Sequence, residues 1–211
     1  HLGTLTSSTI DLSATSIFEA SPALTVSDLG RFTADGAEFA RASGADTLIT
    51  IALGSNATVD LSDSQLYDAG TGCIKSFATE GTLHLTDITM STCNGVGLWA
   101  RQSHLEVDGL EFEDGFTHGF ELTAVTGSMN GIEATQFEGT GFIGWLESVD
   151  EMFTLSQLNG TVGAAGGLAG ANNRFLDLES IQITGAPAVD FDNTAGHIDG
   201  LILNGQGTGT A

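Results

Sequence analysis

The sequence predicts an all-β fold in which the chain winds into a right-handed parallel β-helix, a solenoid of about nine coils. Residues 83–90 and residues 105–112 both read apolar-x-apolar-x-x-apolar-x-apolar, and the second segment follows the first by 22 residues. The alternating pairs have the period of a strand, and the two-residue step between them predicts a sharp corner. A unit of strands and turns that recurs about every 20–50 residues is typical of a solenoid.

The same pattern extends in both directions from these two segments and gives nine copies. The first apolar positions of the copies are Ile10, Phe32, Val59, Leu83, Leu105, Gly127, Phe153, Leu176 and Gly196. Variable spacing between copies is what loops inserted at one corner of each coil would produce. We therefore expect residues 1–211 to form a single parallel β-helix domain, either complete or as a segment of a longer chain.

The corner of each copy supports this interpretation, because four of the nine corner pairs are Asp-Gly or Asn-Gly. These residues tolerate the positive φ of a tight bend. A sandwich of hairpins uses similar turns, but it would not return to the same register in every copy. A helical fold is disfavoured, since Val, Ile, Thr and Phe fill the periodic positions and glycine recurs within the copies. The glycine-rich residues 163–170 are predicted to form a loose bend of the seventh coil.

Acidic residues dominate the charge of the chain: 27 Asp and Glu against 5 Lys and Arg give a net charge of −22. Nucleic acids and anionic membranes are poor partners for such a surface, because binding to them depends on basic patches. The apolar runs are too short to predict a membrane span. This acidity fits salty or divalent-rich water, where screening shortens self-repulsion, although tuning of solubility alone would give the same composition.

Two cysteines and two glycosylation sequons together indicate a secreted protein, extracellular or at the cell surface. Cys73 and Cys93 lie 20 residues apart, close to one repeat, so stacked coils would allow a disulfide between them. Two buried free thiols are the alternative. Asn56 and Asn159 begin Asn-x-Thr triplets, the acceptor sequence for N-glycosylation, although such triplets also arise by chance.

The apolar ladder with Gly, Asn and Asp corners resembles the right-handed parallel β-helix proteins of the pectin-lyase-like superfamily over essentially the whole chain. The resemblance implies a fold and leaves the activity open. Pectate-type lyases of this superfamily depend on clustered Lys or Arg, and its galacturonase-like hydrolases on three Asp with Gly-His-Gly and Arg-x-Lys strings. Five scattered bases and the lack of those strings predict a non-catalytic surface protein.

Equivalent outward positions of stacked coils form columns, and two columns contain candidate metal ligands. The first brings Asp60, His84 and Glu106 to successive coils about 5 Å apart. This set could be a proton relay or a divalent metal site, and a favourable cross-strand charge pair is the simpler alternative. In the second column Glu111 lies beside Glu133, a like-charge contact that Ca²⁺ or ambient cations would relieve. Ca²⁺ is therefore the candidate cofactor.

Trp99 and Trp145 are predicted to face outward in one column, with Thr123 between them. Two indoles about 10 Å apart would form a stacking platform for a sugar chain or for a partner surface. The alternative is that each tryptophan lies under a loop of its own coil.

The sequence therefore predicts an extracellular, non-catalytic β-solenoid with a structural, assembly or adhesive role, as in a surface protein, fibre or layer. Solenoids need polar caps over their end coils, and we find no amphipathic segment to supply them. We therefore expect end-to-end self-association or neighbouring domains in a longer chain. The alternative is a glycan-binding module or a polysaccharide-active enzyme, of hydrolase, lyase or epimerase type, that uses the face with the two tryptophans.

Overall fold

A computed structural model of the chain describes residues 4–6, 9–13, 17–19, 24–28, 30–40, 47–51, 56–77, 81–137, 141–162, 166–185 and 189–204. These residues form 23 β-strands and no helix, and the predicted all-β class is confirmed. Within the same ranges, no helix is long and apolar enough to cross a membrane.

Most strands have three to six residues, and the longer ones continue through a corner of the solenoid. In chain order the strands are β1 Thr4–Thr6, β2 Thr9–Ser13, β3 Ile17–Glu19, β4 Leu24–Ser27, β5 Arg31–Asp35, β6 Glu38–Ala40, β7 Thr47–Ile51, β8 Thr58–Ser62, β9 Gln65–Tyr67, β10 Gly72–Ser76, β11 Thr82–Ser91, β12 Val96–Arg101, β13 His104–Phe112, β14 His118–Thr123, β15 Thr126–Phe137, β16 Phe142–Glu147, β17 Phe153–Val162, β18 Gly166–Ala171, β19 Leu176–Glu179, β20 Gln182–Thr184, β21 Val189–Asp192, β22 Gly196–Asp199 and β23 Ile202–Asn204.

The strands stack in parallel, each beside the strand one turn earlier and one turn later. Sheet A has the order β1-β4-β7-β10-β12-β14-β16-β18-β21. Sheet B has the order β2-β5-β8-β11-β13-β15-β17-β19-β22, and β3, β6, β9, β20 and β23 extend it around a corner as a third face. The described strands thus make nine levels, of which the first and last have a neighbour on one side only. About seven turns are enclosed, slightly fewer than the nine coils predicted, and the parallel solenoid is confirmed.

The register between levels follows the repeat in the sequence. The first apolar positions of the nine copies stack in one column: Ile10, Phe32, Val59, Leu83, Leu105, Gly127, Phe153, Leu176 and Gly196. A shift of one residue would turn every apolar side chain of a strand toward solvent. The hydrophobic pattern therefore specifies the register.

The predicted corners are tight bends whose second residue has a left-handed backbone conformation. These residues are Gly36, Asp63, Asp87, Gly109, Gly131, Gln157, Ser180 and Gly200, with φ between 47° and 80°. Glycine, Asn and Asp adopt this conformation at the lowest steric cost. Ala14, at the equivalent corner of the first copy, lies outside the described residues. The bend lets the chain turn between two faces without losing the inward orientation of the next apolar residue.

The interior is a continuous apolar column that runs along the solenoid axis. In β11, Leu83, Leu85, Ile88 and Met90 are all buried, whereas the corner residues between them are exposed. Phe112, at the end of β13, packs in the interior against Phe120 of the following strand β14, with 6.3 Å between ring centroids. Each fully buried side chain of this size contributes about 1.5–3 kcal/mol to stability. The interior thus stabilises the fold, and the outward columns determine what the surface can bind.

The glycine-rich segment corrects one sequence prediction. Residues 163–165 lie outside the described residues, but Gly166–Ala171 form strand β18 in sheet A and not a loose bend. A Cβ on Gly166 would lie 2.2 Å from Cδ1 of Phe142, and one on Gly170 would lie 2.0 Å from the carbonyl oxygen of Leu146. Gly166 and Gly170 lack side chains because Phe142 and Leu146 fill the space, and glycine in a strand often marks such a close approach.

A disulfide joins Cys73 to Cys93, with 5.6 Å between their Cα atoms. Cys73 lies on β10, and Cys93 lies between β11 and β12, where the next turn begins. Both residues are fully buried in the apolar interior. The bond therefore links β10 to the segment between β11 and β12, where the next turn begins.

Candidate functional site

One outward column of sheet B connects ionisable side chains by hydrogen bonds. Asp60, His84 and Glu106 occupy equivalent positions on β8, β11 and β13. Nη2 of Arg31 donates to Oδ2 of Asp60 at 2.8 Å, and Nδ1 of His84 lies 2.5 Å from Oδ1 of Asp60. Nε2 of His84 and Nε2 of His104 each lie 3.2 Å from one oxygen of Glu106. The result is a continuous chain of charge-assisted contacts across three turns.

The energetic value of this column is modest, because much of it is open to water. The side chain of Asp60 is 18% exposed, that of His84 40% and that of Glu106 58%. Cross-strand pairs of this kind contribute roughly 0.2–1 kcal/mol each to stability. Because water screens these partly exposed charges, we expect values near the lower limit of that range. The column therefore acts as a cross-strand charge pair, the simpler of the two alternatives given above.

Metal binding by Asp60, His84 and Glu106 stays a prediction, and the observed geometry does not favour it. The side chains are adjacent, but their nitrogen and oxygen atoms face each other and Arg31 instead of converging on a common point. No group of three or more His, Cys, Asp or Glu among the described residues is placed to hold a metal ion. A cation would have to displace Arg31 and His84 from Asp60.

Glu111 and Glu133 lie opposite each other on β13 and β15, and both are exposed. Nδ2 of Asn159, one turn further on, donates to Oε2 of Glu133 at 3.0 Å. Water and salt screen the like charges at such a position. No third His, Cys, Asp or Glu joins the pair within the described residues, and Ca²⁺ binding at this pair stays a prediction.

The two sequons differ in their surroundings. Asn56 is exposed and precedes β8, whereas Asn159 lies inside β17 with its amide bonded to Glu133. A glycan on Nδ2 of Asn159 would have to fit beside Glu133 on a residue that is only partly exposed in the middle of a sheet. Glycosylation stays a prediction at both positions, and Asn56 is the better placed acceptor.

Trp99 and Trp145 share one column of sheet A, two turns apart, and Glu121 lies between them in register. The sequence analysis placed Thr123 between the indoles, and this was wrong: Thr123 lies two residues further along β14, opposite Glu147. The residues that flank the column along the strands, such as Leu98 and Leu146, are buried. The column therefore faces outward, and both indoles are partly exposed.

Trp99 is held by two side chains of the preceding turn. Lys75 is its register neighbour, and Nζ of Lys75 lies 4.6 Å from the Trp99 ring centroid and 4.4 Å from that of Phe77. Phe77 meets Trp99 edge to face, with 5.0 Å between centroids and 88° between planes. Aromatic pairs and cation–π contacts of this kind each contribute about 0.5–1.5 kcal/mol. Lys75 and Phe77 thus fix the orientation of the indole.

Trp145 is similarly supported from its own strand. The ring of Phe142 lies 5.7 Å from that of Trp145, and His118 stacks on Phe142 at 6.0 Å. We call the six side chains that make up this surface the aromatic strip: Lys75, Phe77, Trp99, Glu121, Phe142 and Trp145. Neither indole lies in isolation, and the strip runs along the solenoid axis.

His118 is the one described residue in this region with a clear pKa shift. Its Nδ1 accepts a hydrogen bond from the backbone N–H of Phe142 at 3.0 Å. Burial lowers the pKa of His118 below its usual value of 6.5, and the charge of Glu121 opposes this lowering. Both the burial and the accepted hydrogen bond favour the neutral ring, because a protonated Nδ1 could not accept.

We expect this histidine to make stability fall as the solution becomes acidic. Below about pH 6.5 the unfolded chain takes up a proton that the folded ring resists, so the contribution present above that pH is lost as the pH falls toward the folded pKa. Unfolding by urea at several pH values should show a steeper acid loss for the wild type than for His118→Gln. An NMR titration giving a folded pKa at or above 6.5 for His118 would contradict this.

Sequence reasoning missed Lys75, Phe77, Glu121 and Phe142 as members of the strip. Part of the signal was available, since Glu121 follows Trp99 by the same 22 residues that separate the two central copies. The count to Trp145 started from Phe142, which is partly exposed with its ring against Trp145, whereas the inward position opposite Phe120 is occupied by Gly144, which has no apolar side chain. A Cβ there would lie 2.0 Å from Cζ of Phe120. The register could therefore not be counted from hydrophobicity alone.

Comparison with known proteins finds no family model, curated protein or solved structure that matches the chain. The function must therefore be argued from the outward columns and from the ends of the stack.

Proposed function

We propose that the protein is a non-catalytic solenoid of the pectin-lyase-like type that works outside the cell as a structural or adhesive component, and that its last described level is covered either by a second copy or by neighbouring domains of a longer chain. The observation that carries this proposal is the apolar surface of the last described level. Ile198 is 53% exposed and Leu203 is 46% exposed. Equivalent positions on inner levels, such as Leu178 and Ile183, are buried by the next turn.

The strands of the last described level can also form backbone hydrogen bonds with a further strand. Within the described residues, β22 pairs with β19 alone and β23 with β20 alone. An exposed strand edge is a template for pairing with another strand. At the other end β2 pairs with β5 alone in the described part of the chain. A second copy has the same three-faced outline, so its first level can extend the sheets of this copy.

The chemistry of the chain is consistent with an extracellular setting. A buried disulfide is typical of proteins that fold in oxidising compartments. A net charge of −22 makes copies repel each other at low salt, whereas salt shortens that repulsion to about 8–10 Å. Association through a small apolar end surface is therefore expected to require salt.

Sedimentation velocity over a range of protein and salt concentrations tests this proposal. We expect the average mass of the wild type to rise with both concentrations, and the double variant Ile198→Lys/Leu203→Lys to remain monomeric. Met152→Lys is the matched control, because Met152 is 75% exposed on the side of the solenoid. It should associate like the wild type. A wild-type chain that stays monomeric under all conditions would overturn end-to-end assembly.

A second role, the binding of glycans, is favoured by the aromatic strip, and it does not depend on assembly.

A further inference from the structure

We propose that the aromatic strip binds an extended, neutral polysaccharide that lies along the solenoid axis. The proposal goes beyond end-to-end assembly and rests on different residues. The strip has a defined direction, because Lys75, Trp99, Glu121 and Trp145 follow one another on four successive turns. At about 4.8 Å per turn these positions span roughly 14 Å.

The spacing of the two indoles suits a sugar chain. Trp99 and Trp145 are two turns apart, or about 10 Å. This is comparable with the length of one disaccharide unit in an extended glycan, so alternate sugar rings can meet the two indoles. The apolar C–H face of a pyranose packs on an aromatic ring, and tryptophan offers the largest such surface.

The strip is arranged before any ligand binds. Lys75 and Phe77 contact Trp99 from the preceding turn, and the indole is still partly exposed, so part of its surface is open to a ligand. Phe142 supports Trp145, and the ring of Phe142 itself lies against Gly166. Side chains that are already ordered lose little conformational entropy on binding, so more of the contact energy appears as affinity.

The polar groups of the strip select for hydroxyl groups over acidic groups. Glu121 lies between the indoles, where its carboxylate can accept hydrogen bonds from sugar hydroxyls. Glu147 lies on the same face two residues after Trp145. These two carboxylates, together with a net charge of −22, repel uronic acids and sulfated sugars. Neutral hexose or pentose polymers are therefore the expected class.

The proposal can be tested by isothermal titration with cellohexaose, xylohexaose and mannohexaose, and with hexagalacturonate as the acidic probe. We expect at least one neutral oligomer to bind and hexagalacturonate not to bind. Trp99→Ala and Trp145→Ala should each weaken binding about tenfold, which corresponds to about 1.4 kcal/mol. Phe175→Ala is the matched control, because it removes an aromatic ring that is 56% exposed away from the strip. It should bind like the wild type.

Three results would overturn the proposal: no binding of any neutral oligomer, preferential binding of hexagalacturonate, or equal affinity in the tryptophan variants and the wild type. Release of reducing ends that is lost in Trp145→Ala would instead identify an enzyme and overturn the non-catalytic role. The Ile198→Lys/Leu203→Lys variant separates this proposal from end-to-end assembly, since it should retain glycan binding whether or not it associates.

Discussion

Replacement of Leu85 by alanine is expected to lower the free energy of unfolding by about 2–5 kcal/mol. Leu85 is fully buried, and its register neighbours are Leu61 on the turn before and Val107 on the turn after. Both neighbours are fixed in their own ladders by backbone hydrogen bonds, so the walls of the new cavity cannot close. The loss should therefore include a cavity term in addition to the lost transfer energy.

Urea unfolding followed by circular dichroism measures this change. Met152→Ala is the control, because it also removes an apolar side chain but from a position that is 75% exposed. Its effect should stay within about 0.5 kcal/mol. If Leu85→Ala cost no more than Met152→Ala, the inward placement of the β11 side chains would be wrong.

Removal of the disulfide is expected to lower stability by about 3 kcal/mol. Cys73 and Cys93 are separated by 20 residues, and the bond restricts the unfolded chain over that loop. Because both cysteines are buried, Cys73→Ala/Cys93→Ala is preferable to a serine pair, which would bury two hydroxyl groups.

Reduction provides the matched comparison for the disulfide. Dithiothreitol should shift the urea midpoint of the wild type toward that of the alanine double variant and leave the variant unchanged. A wild-type midpoint that is insensitive to reduction, with free thiols detected in the unfolded protein before reductant is added, would show that the bond does not form.

The fold could be predicted from the sequence because each turn of a solenoid contacts the neighbouring turns. The repeat between residues 83–90 and 105–112 therefore also predicts which residues are neighbours in the structure. Leu83 pairs with Leu105, and Ile88 pairs with Leu110. In most folds the partners of a strand must be guessed, whereas here they follow from the repeat length. This is why the outward column from Asp60 to Glu106 could be placed in advance.

Features that depend on the shapes of side chains could not be predicted in this way. Asn173 is 1% exposed, yet its amide donates to the carbonyl of Leu146 and accepts from the backbone N–H of Val149. A polar residue at this place in the sequence predicts a surface turn, not a buried and fully bonded corner. Thr123 was misplaced for a related reason, since Gly144 lies inward where the ring of Phe120 fills the interior and gives no hydrophobic signal for the register.

The candidate site was predicted only in part. The two tryptophans were identified as one outward pair, but the supporting contacts of Lys75 and Phe77 involve a long aliphatic stem and a ring edge that no spacing rule specifies. For the charged column, the sequence predicted that the residues lie side by side, and the observed contacts correspond to the cross-strand pair that was one of its alternatives. Proximity of carboxylates and imidazoles is set by register, whereas convergence on a metal depends on rotamers, and Arg31 fixes the orientation of Asp60.

The stacking of like levels has a consequence for how such a protein can change during evolution. Leu83 contacts Leu105 on the next turn in the same way as Val59 contacts Leu83. If the DNA that encodes one whole turn were duplicated, the added turn would therefore match the surfaces of the turns on both sides. The rod could grow or shrink by such units without a redesigned interior, and the distance between its ends would change in steps of about 4.8 Å.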